Sequence, residues 1–415
     1  MSLDETTIEI EYGASDRMTL EVESRQLALD CRPDAAREDP TATIRQALSQ
    51  PIDFPSLKQV VIPDDNVVLA VDPRTPDLAL IVAEVWQILK TVGIHPDQVR
   101  IVQPAADHSP DPRNELPADV RELFVWIRHH PSDDDTCGYL ANSTGGERIY
   151  LARELLDADV VISIGEIGFD PLLGYHGTNS LFYPALSNDD AVKKSKGQGH
   201  TELGPDNSRP LRQLADETAW LLGTQFTIQT VGNTRNRFSH LLAGAIESVF
   251  RRGRELLDRG WRAQLESRVE IVVASVDAEN CTWNDVGTAL SAARNLVIRD
   301  GWIVILSDLA EQPGVGTKMV ASADVPDDAI KPLRLETPDD LIPATQLVNA
   351  VNWGRVFLLS RLNPDLVEDL FCAPMQSIGE VERLLRSTDN PIAFISSAQN
   401  VYGEIVESDA DDDFD

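Results

Sequence analysis

The sequence predicts an α/β protein built from two α/β domains, with mainly parallel sheets and a cleft between the domains. The first observation is that continuous apolar runs such as NVVLAVD (66–72) alternate with helical patterns such as DLALIVAEVWQILKTVG (77–93). Such alternation is typical of βαβ units, in which helices cover both faces of a parallel sheet. The second observation is the length of 415 residues, which exceeds the roughly 100 to 200 residues of a single domain.

The first domain is predicted to span residues 1–265. It begins with a hairpin, because TTIEIEYG and MTLEVES alternate apolar and polar residues, and a β-α-β unit follows over 66–110. Farther along, the patterns predict helices over 147–158 and 237–260 and strands over 159–165 and 225–231.

The second domain is predicted over residues 266–405, where the α/β alternation starts again. Its strands are predicted at RVEIVVAS (268–275), WIVILS (302–307), GRVFLLS (354–360) and PIAFIS (391–396). The last residues, 406–415, form an acidic tail that is too charged to pack and is predicted to be disordered.

The charge of the chain restricts its partners. It has 68 acidic and 36 basic side chains and a net charge of -32, which repels nucleic acid and anionic membranes. The first residues carry no basic region followed by an apolar core, and no apolar run is long enough to span a bilayer, so we expect a cytoplasmic protein. The partner is then a small molecule, and the sequence does not indicate an oligomeric state.

Polar side chains follow two strands of the predicted β-α-β unit. Asp72 and Arg74 follow the first strand, where an arginine suits a phosphate or carboxylate ligand, or where Asp72 caps the next helix and pairs with Arg74. His108 follows the second strand and is either a proton donor and acceptor near neutral pH or a histidine of a surface loop.

A glycine-containing loop follows the strand at 159–165. The segment GYHGTNS (174–180) has two glycines and several hydroxyl and amide donors, which suit an anion-binding loop. It lacks the Walker and dinucleotide fingerprints, which disfavours a dehydrogenase with a nicotinamide cofactor. The candidate binding residues here are Gly174, Gly177, Thr178 and Ser180.

The succession of these segments resembles the lactate racemase family. The resemblance begins with IRQALSQPIDFPSLKQVVIPDDNVVLAVDPRTPD (44–77), where the family has a strand that ends in D-x-T-R-P, and continues with DHSP, similar to T-H-R-P. GEIGFDPLLGYHGTNS (165–180) is similar to G-x-I-x-P-H-x-x-x-G-F-S-G-G-x-K, and the stretch SVDAENCTWNDVGTALSAARNLVIRDGWIVIL is similar to the start of the family's second domain.

The resemblance implies a racemase or epimerase of a 2-hydroxy acid that uses nickel in a pincer nucleotide. His108 falls at one acid/base histidine of the family, Asp170 at the other, and His200 is the nearest histidine to the nickel ligand. Ser180 replaces the lysine that holds the cofactor covalently in the family, so the nucleotide is expected to bind noncovalently, with Asp72, Arg74 and the 174–180 loop at its phosphate. The same departures suit a second hypothesis, a non-catalytic protein that binds a metabolite or nucleotide on the same fold.

Overall fold

The computed structural model describes residues 5–105, 111–196, 203–278 and 280–406. The chain divides into two compact units, one formed by Ala35–Asp258 and the other by Met1–Asp34 together with Arg259–Asp415. Within the described residues, no helix combines the length and the apolar content needed to cross a membrane. From residue 407 onward, the acidic tail predicted from the sequence lies outside the described residues.

The N-terminal segment belongs to the second unit, so the predicted division at residue 265 is wrong for residues 1–34. Strands β1 (Glu5–Tyr12) and β2 (Asp16–Glu23) form the predicted hairpin. Strand β3 (Leu27–Cys31) then pairs in parallel with a strand near residue 392 and becomes an edge of the second sheet. This pairing between distant parts of the chain, which local patterns do not encode, explains the difference.

The first unit alternates strands and helices after an initial helical segment. Its elements are α1 (Pro40–Ser49), α2 (Leu57–Val60), β4 (Val67–Val71), α3 (Leu78–Val92), β5 (Val99–Pro104), α4 (Ala118–Arg121), β6 (Val125–His129), β7 (Cys137–Asn142), β8 (Arg148–Ala152), α5 (Arg153–Leu156), β9 (Val160–Asp170), β10 (Gly174–His176), α6 (Asp189–Lys196), α7 (Pro210–Leu222), β11 (Phe226–Thr234), β12 (Arg237–Ala245) and α8 (Ile246–Trp261).

The central sheet of this unit has the strand order β12-β11-β9-β4-β5-β6, and β10 pairs with β9. The strands from β11 to β6 are parallel, whereas β12 and β10 are antiparallel to their neighbours. Every residue of β4 is buried, as its continuous apolar sequence predicts. Helix α3 ends at Gly93, whose φ of 104° is readily adopted by glycine.

Two helices predicted in this unit are partly strands. Over 147–158 the chain forms β8, antiparallel to β7, and only then the short helix α5. Over 237–260 it forms β12 before α8 begins at Ile246. A short apolar stretch fits both helix and strand, and here the antiparallel partner β11 decides in favour of a strand.

The second unit repeats the α/β alternation, as predicted. Its remaining elements are β13 (Arg262–Leu265), β14 (Val269–Ser275), α9 (Trp283–Leu296), β15 (Val297–Leu306), α10 (Val315–Ala321), α11 (Ile330–Glu336), α12 (Leu341–Trp353), β16 (Arg355–Leu359), α13 (Pro364–Asp369), β17 (Ala373–Met375), α14 (Ile378–Arg386), β18 (Ile392–Ile395) and β19 (Tyr402–Ile405). The sheet order is β17-β16-β15-β14-β18-β3, with parallel pairing throughout. The β1–β2 hairpin packs its apolar side against one face of this sheet.

Candidate functional site

The candidate site lies at the edge of the first unit's sheet where the strand order reverses. The chain proceeds outward from β4 to β5 and β6, and then returns to the other side of β4 to place β9 and β11. The crevice at such a reversal, outside the carboxyl ends of the strands, is where open α/β sheets bind their ligands. The backbone N–H of Asp72 donates to the carbonyl of Ile164 over 2.9 Å, so β4 ends beside the middle of β9. The last residues of β9 therefore project beyond β4 at this edge.

Asp72 and Arg74 lie directly after β4, as predicted. The Asp72 carboxylate accepts the backbone N–H of Arg74 over 2.9 Å and lies 3.7 Å from the Arg74 Nε. The Thr75 hydroxyl donates to the Asp72 carbonyl over 2.7 Å, which closes the turn. Because the Arg74 side chain is 74% exposed, its guanidinium group is accessible to a ligand while Asp72 fixes the turn that carries it. The prediction that Asp72 caps the next helix is wrong, because α3 begins at Leu78 and its N-cap residue is Asp77. The predicted pairing of Asp72 with Arg74 is present.

Asp170 ends β9 and organises the turn that follows. Its Oδ1 accepts the backbone N–H groups of Leu172 and Leu173, each over 2.7 Å. This is the hydrogen-bonding pattern with which aspartate commonly stabilises tight turns. Asp170 therefore has a structural function in addition to any chemical one.

His176 lies on the same hairpin as Asp170 and is not among the site residues predicted from the sequence. In the β9–β10 hairpin His176 pairs with Gly168 and Gly174 pairs with Asp170, so the alternation of side chains places Asp170 and His176 on one face. A Cβ atom on Gly168 would lie 2.5 Å from the imidazole Cε1 of His176, so the ring lies against the glycine backbone. The Nδ1 atom lies 3.3 Å from the Phe169 carbonyl oxygen.

The charged candidate residues affect the pKa of His176. Burial lowers the pKa of His176 below the ordinary histidine value, the charges of Asp170 and Asp72 act to raise it, and Arg74 acts to lower it. Because burial has the largest effect, the imidazole is neutral at pH 7 and can accept a proton. Of the predicted residues, Asp72, Arg74 and Asp170 thus act on one imidazole. The signal that would have revealed His176 is a three-residue turn after Asp170, which makes 174–176 a returning strand.

The 174–180 loop uses its polar groups internally. The Ser180 hydroxyl accepts the Gly177 N–H over 2.8 Å, and Gln229 Oε1 accepts the Thr178 N–H over 3.0 Å. The hydroxyl of Thr178, which is fully buried, donates to the Gly177 carbonyl over 2.7 Å. These donors stabilise the loop, and an anion at this position would have to compete with their internal partners.

Arg212 of α7 donates hydrogen bonds to the same loop. Its guanidinium group donates to the carbonyls of Tyr175 and Gly177 and to the Thr178 hydroxyl, each over 3.3 Å. It also lies over the ring of Phe250, with 3.9 Å between Cζ and the ring centroid. Burial lowers the pKa of Arg212, and its ion pair with Asp216 acts in the opposite direction. Arg212 therefore fixes the backbone on both sides of His176.

Gly174 permits a close backbone approach, and its substitution tests this geometry. Its φ is 77°, and an added Cβ would lie 2.3 Å from the Pro205 carbonyl oxygen. We expect Gly174→Ala to lower the free energy of unfolding by about 2 to 4 kcal/mol, from backbone strain plus the steric clash. Gly146→Ala is the matched control, because Gly146 has a φ of 83° with nothing near the added Cβ, and it should cost only about 1 kcal/mol. Equal losses in chemical denaturation would show that the Pro205 contact is unimportant.

Two predicted residues, His108 and His200, lie outside the described residues. Among the residues that are described, no group of three or more His, Cys, Asp and Glu side chains could hold a metal ion. Ser180, which the resemblance sets at the position of the family's cofactor-linking lysine, accepts the Gly177 N–H and donates its hydroxyl to the Gly177 carbonyl. The described residues therefore do not fit a covalently attached pincer nucleotide.

The site and the fold together define a two-unit α/β protein with its candidate ligand crevice at a strand-order reversal. Residues 12–201 match the family model described as the lactate racemase N-terminal domain. This match confirms the resemblance to the lactate racemase family that the sequence predicts.

Two solved structures share the fold. The lactate racemase apoprotein from Thermoanaerobacterium thermosaccharolyticum is 17% identical, with a TM-score of 0.80 over 96% of this chain and 100% of that one. A protein from Thermotoga maritima, solved in a structural genomics programme, is 13% identical, with a TM-score of 0.66 over 90% of this chain and 100% of its own. No curated protein matches the chain significantly.

Proposed function

We propose that this protein is a cytoplasmic isomerase, a racemase or epimerase of a 2-hydroxy acid. The observation that carries the proposal is that the Asp72–Arg74 pair after β4 and Asp170 and His176 of the β9–β10 hairpin lie at the same strand-order reversal. The hydroxyl of a 2-hydroxy acid requires a proton acceptor and the phosphate of a nucleotide requires a cation, and this edge offers both. The lactate racemase N-terminal domain supports the same reaction class.

The roles follow from the chemistry of each side chain. Arg74 is exposed, and its planar guanidinium group can bind the phosphate of an anionic nucleotide through two hydrogen bonds. His176, with its lowered pKa, accepts the proton of the substrate hydroxyl, and the Asp170 carboxylate stabilises the imidazolium that forms. We propose His108 as the second acid/base group, on the opposite face of the substrate. Asp170 then assists His176 and does not itself transfer the proton.

The cofactor of this proposal is a nickel-pincer nucleotide bound without a covalent link. When bound, it supplies the acceptor for the hydride of the substrate carbon. We propose Asp72, Arg74 and the loop residues Gly174, Gly177, Thr178 and Ser180 as its phosphate site and His200 as a nickel ligand. Since the loop donors are bonded internally, Arg74 would make the principal charged contact.

A second candidate function is favoured by the same loop. A non-catalytic protein that binds a metabolite or nucleotide needs neither the lysine nor a metal ligand, and the internal bonds of Ser180 and Thr178 give the loop a stable form without a cofactor. In that case Arg74 and His176 would bind an anionic metabolite without turning it over.

The experiment that separates the two candidates uses protein made in cells that also produce the pincer nucleotide. Native mass spectrometry with metal analysis should detect a noncovalent adduct that contains nickel, and the protein should then interconvert the enantiomers or epimers of a 2-hydroxy acid in a substrate panel. Protein at its bare mass without nickel, and without turnover, would contradict the isomerase and favour the binding protein.

A further inference from the structure

Three arginines of the second unit surround one tryptophan. The Cζ atoms of Arg268, Arg294 and Arg299 lie 4.9, 5.3 and 5.4 Å from the ring centroid of Trp353. Arg268 precedes β14, Arg294 lies near the end of α9, and Arg299 is in β15. We call these four residues the arginine cluster; it lies near the amino-terminal ends of the strands, away from the carboxyl ends.

The arginine cluster lacks carboxylate partners among the described residues, and Arg268 donates instead to the backbone carbonyls of Arg294 and Val297 over 3.0 and 3.1 Å. None of its arginines forms an ion pair with a described carboxylate, and the Nε of Arg294 is buried without a hydrogen-bond partner. The pKa of Arg294 is lowered first by burial and then by the charges of Arg268 and Arg299. Stacking on Trp353 offsets part of this repulsion. In a chain with 68 acidic side chains and a net charge of -32, such a concentration of unpaired positive charge indicates an anionic ligand.

The path of the chain around β19 indicates which anionic group is nearest to the arginine cluster. Strand β19 runs parallel to β13, and the N–H of Val406 donates to the Leu265 carbonyl over 2.9 Å, three positions before Arg268. On the other side, the Asn295 side chain, next to Arg294, donates to the Gly403 carbonyl over 3.1 Å. Val406, the last described residue before 407–415, therefore lies on the side of the second unit that carries the arginine cluster. The following sequence, ESDADDDFD (407–415), has six carboxylates in nine residues.

We propose that Arg268, Arg294, Arg299 and Trp353 form a binding site for an acidic peptide segment, and that its occupant is residues 407–415 of the same chain. Nine residues reach up to about 30 Å when extended, which is ample because Arg268 follows Leu265, the register partner of Ile405 at the end of β19, by only three residues. Binding within one chain also gives weak contacts a high effective concentration. The site thus fastens β19 to the second unit through charge.

A double-mutant comparison tests the proposal with no need for an activity. Arg299→Gln is introduced into the full chain and into a chain that ends at Val406, and thermal unfolding is followed at low salt. We expect the substitution to lower Tm by about 2 °C in the full chain, where it removes an attraction. In the shortened chain it should leave Tm unchanged or raise it, because it relieves repulsion. Equal effects in the two chains would overturn the proposal.

Arg25→Gln is the matched control for the change in net charge. Arg25 is an exposed arginine of the same unit that already pairs with Glu23. Its substitution should have the same effect on Tm in both chains, and a length dependence equal to that of Arg299→Gln would also overturn the proposal. High salt should abolish the difference seen with Arg299→Gln, because it screens exposed charges.

A synthetic ESDADDDFD peptide provides a direct measurement of binding. Added to the shortened chain, it should change the tryptophan fluorescence, and this change should be lost in Trp353→Phe. Binding to the shortened Arg299→Gln chain should be about fivefold weaker, and a peptide with asparagine in place of every aspartate should not bind. If the full chain bound the peptide as well as the shortened chain does, residues 407–415 would not be the occupant.

Discussion

Replacing His176 with glutamine is expected to lower kcat for the proposed isomerisation by about 10²- to 10⁴-fold, the usual contribution of a positioned acid/base group. Glutamine retains the size and the hydrogen-bonding capacity near the Phe169 carbonyl, but it cannot gain and lose a proton at neutral pH. The measurement is the rate of racemisation or epimerisation with saturating substrate and cofactor. An unchanged rate would exclude His176 from proton transfer.

Gly168→Ala is the companion variant, because it keeps the histidine and moves only its ring. The added Cβ would lie 2.5 Å from the His176 Cε1, so the imidazole must shift from its place against the strand. We expect kcat to fall in this variant as well, since small misplacements of a catalytic group are costly. If kcat falls in His176→Gln but not in Gly168→Ala, the reaction requires the imidazole but tolerates a shift in its position.

His176→Gln should also change how the stability of the protein depends on pH, and this can be measured without a substrate. Because the pKa of His176 is lowered in the folded protein, the unfolded chain takes up a proton near pH 6.5 while the folded chain stays neutral. The stability contributed by the neutral imidazole is therefore present above pH 6.5 and is lost as the pH falls through the lower pKa of the folded state. Denaturant unfolding of His176→Gln should show a flatter dependence on pH in this range than the original protein.

The sequence predicted the parts of the fold that depend on local pattern. The strand β4 is buried on both faces, and its continuous apolar sequence identified it directly. The position of β3 could not be predicted, because it depends on pairing with β18 across most of the chain. The boundary between β12 and α8 could not be predicted either, because the apolar stretch there fits a helix or a strand until its partner β11 is known.

The same distinction explains the candidate site. Asp72 and Arg74 were predicted because the carboxyl ends of parallel strands attract functional residues in this class of fold. His176 was missed because 174–180 reads as a continuous glycine loop, whereas Gly174–His176 returns along β9 as a strand. Only the pairing of His176 with Gly168 places the imidazole on the face of Asp170. The sequence thus located the edge of the sheet, and the register of one short hairpin determined which side chains meet there.

Arg212→Lys should lower the free energy of unfolding of the first unit by about 2 to 4 kcal/mol, although it conserves charge. Arg212 is only 12% exposed, and its fork bonds Asp216, two loop carbonyls and the Thr178 hydroxyl. A lysine ammonium cannot reach these acceptors together, so the Tyr175 carbonyl and the Thr178 hydroxyl lose the donor that the guanidinium group supplies, which is costly at buried positions. The change should also weaken the support for His176, because the bonded carbonyls belong to the residues on either side of it.

Arg252→Lys is the control for this prediction. Arg252 lies on α8 with 45% of its side chain exposed and makes one ion pair with Glu255 over 2.8 Å. An exposed pair of this kind contributes roughly 0 to 1 kcal/mol, so the control should unfold almost as the original protein does. The comparison is made by chemical denaturation, with a probe in the first unit because the two units can unfold separately. A loss for Arg212→Lys no larger than that for Arg252→Lys would show that the 174–180 loop holds its shape without the guanidinium fork.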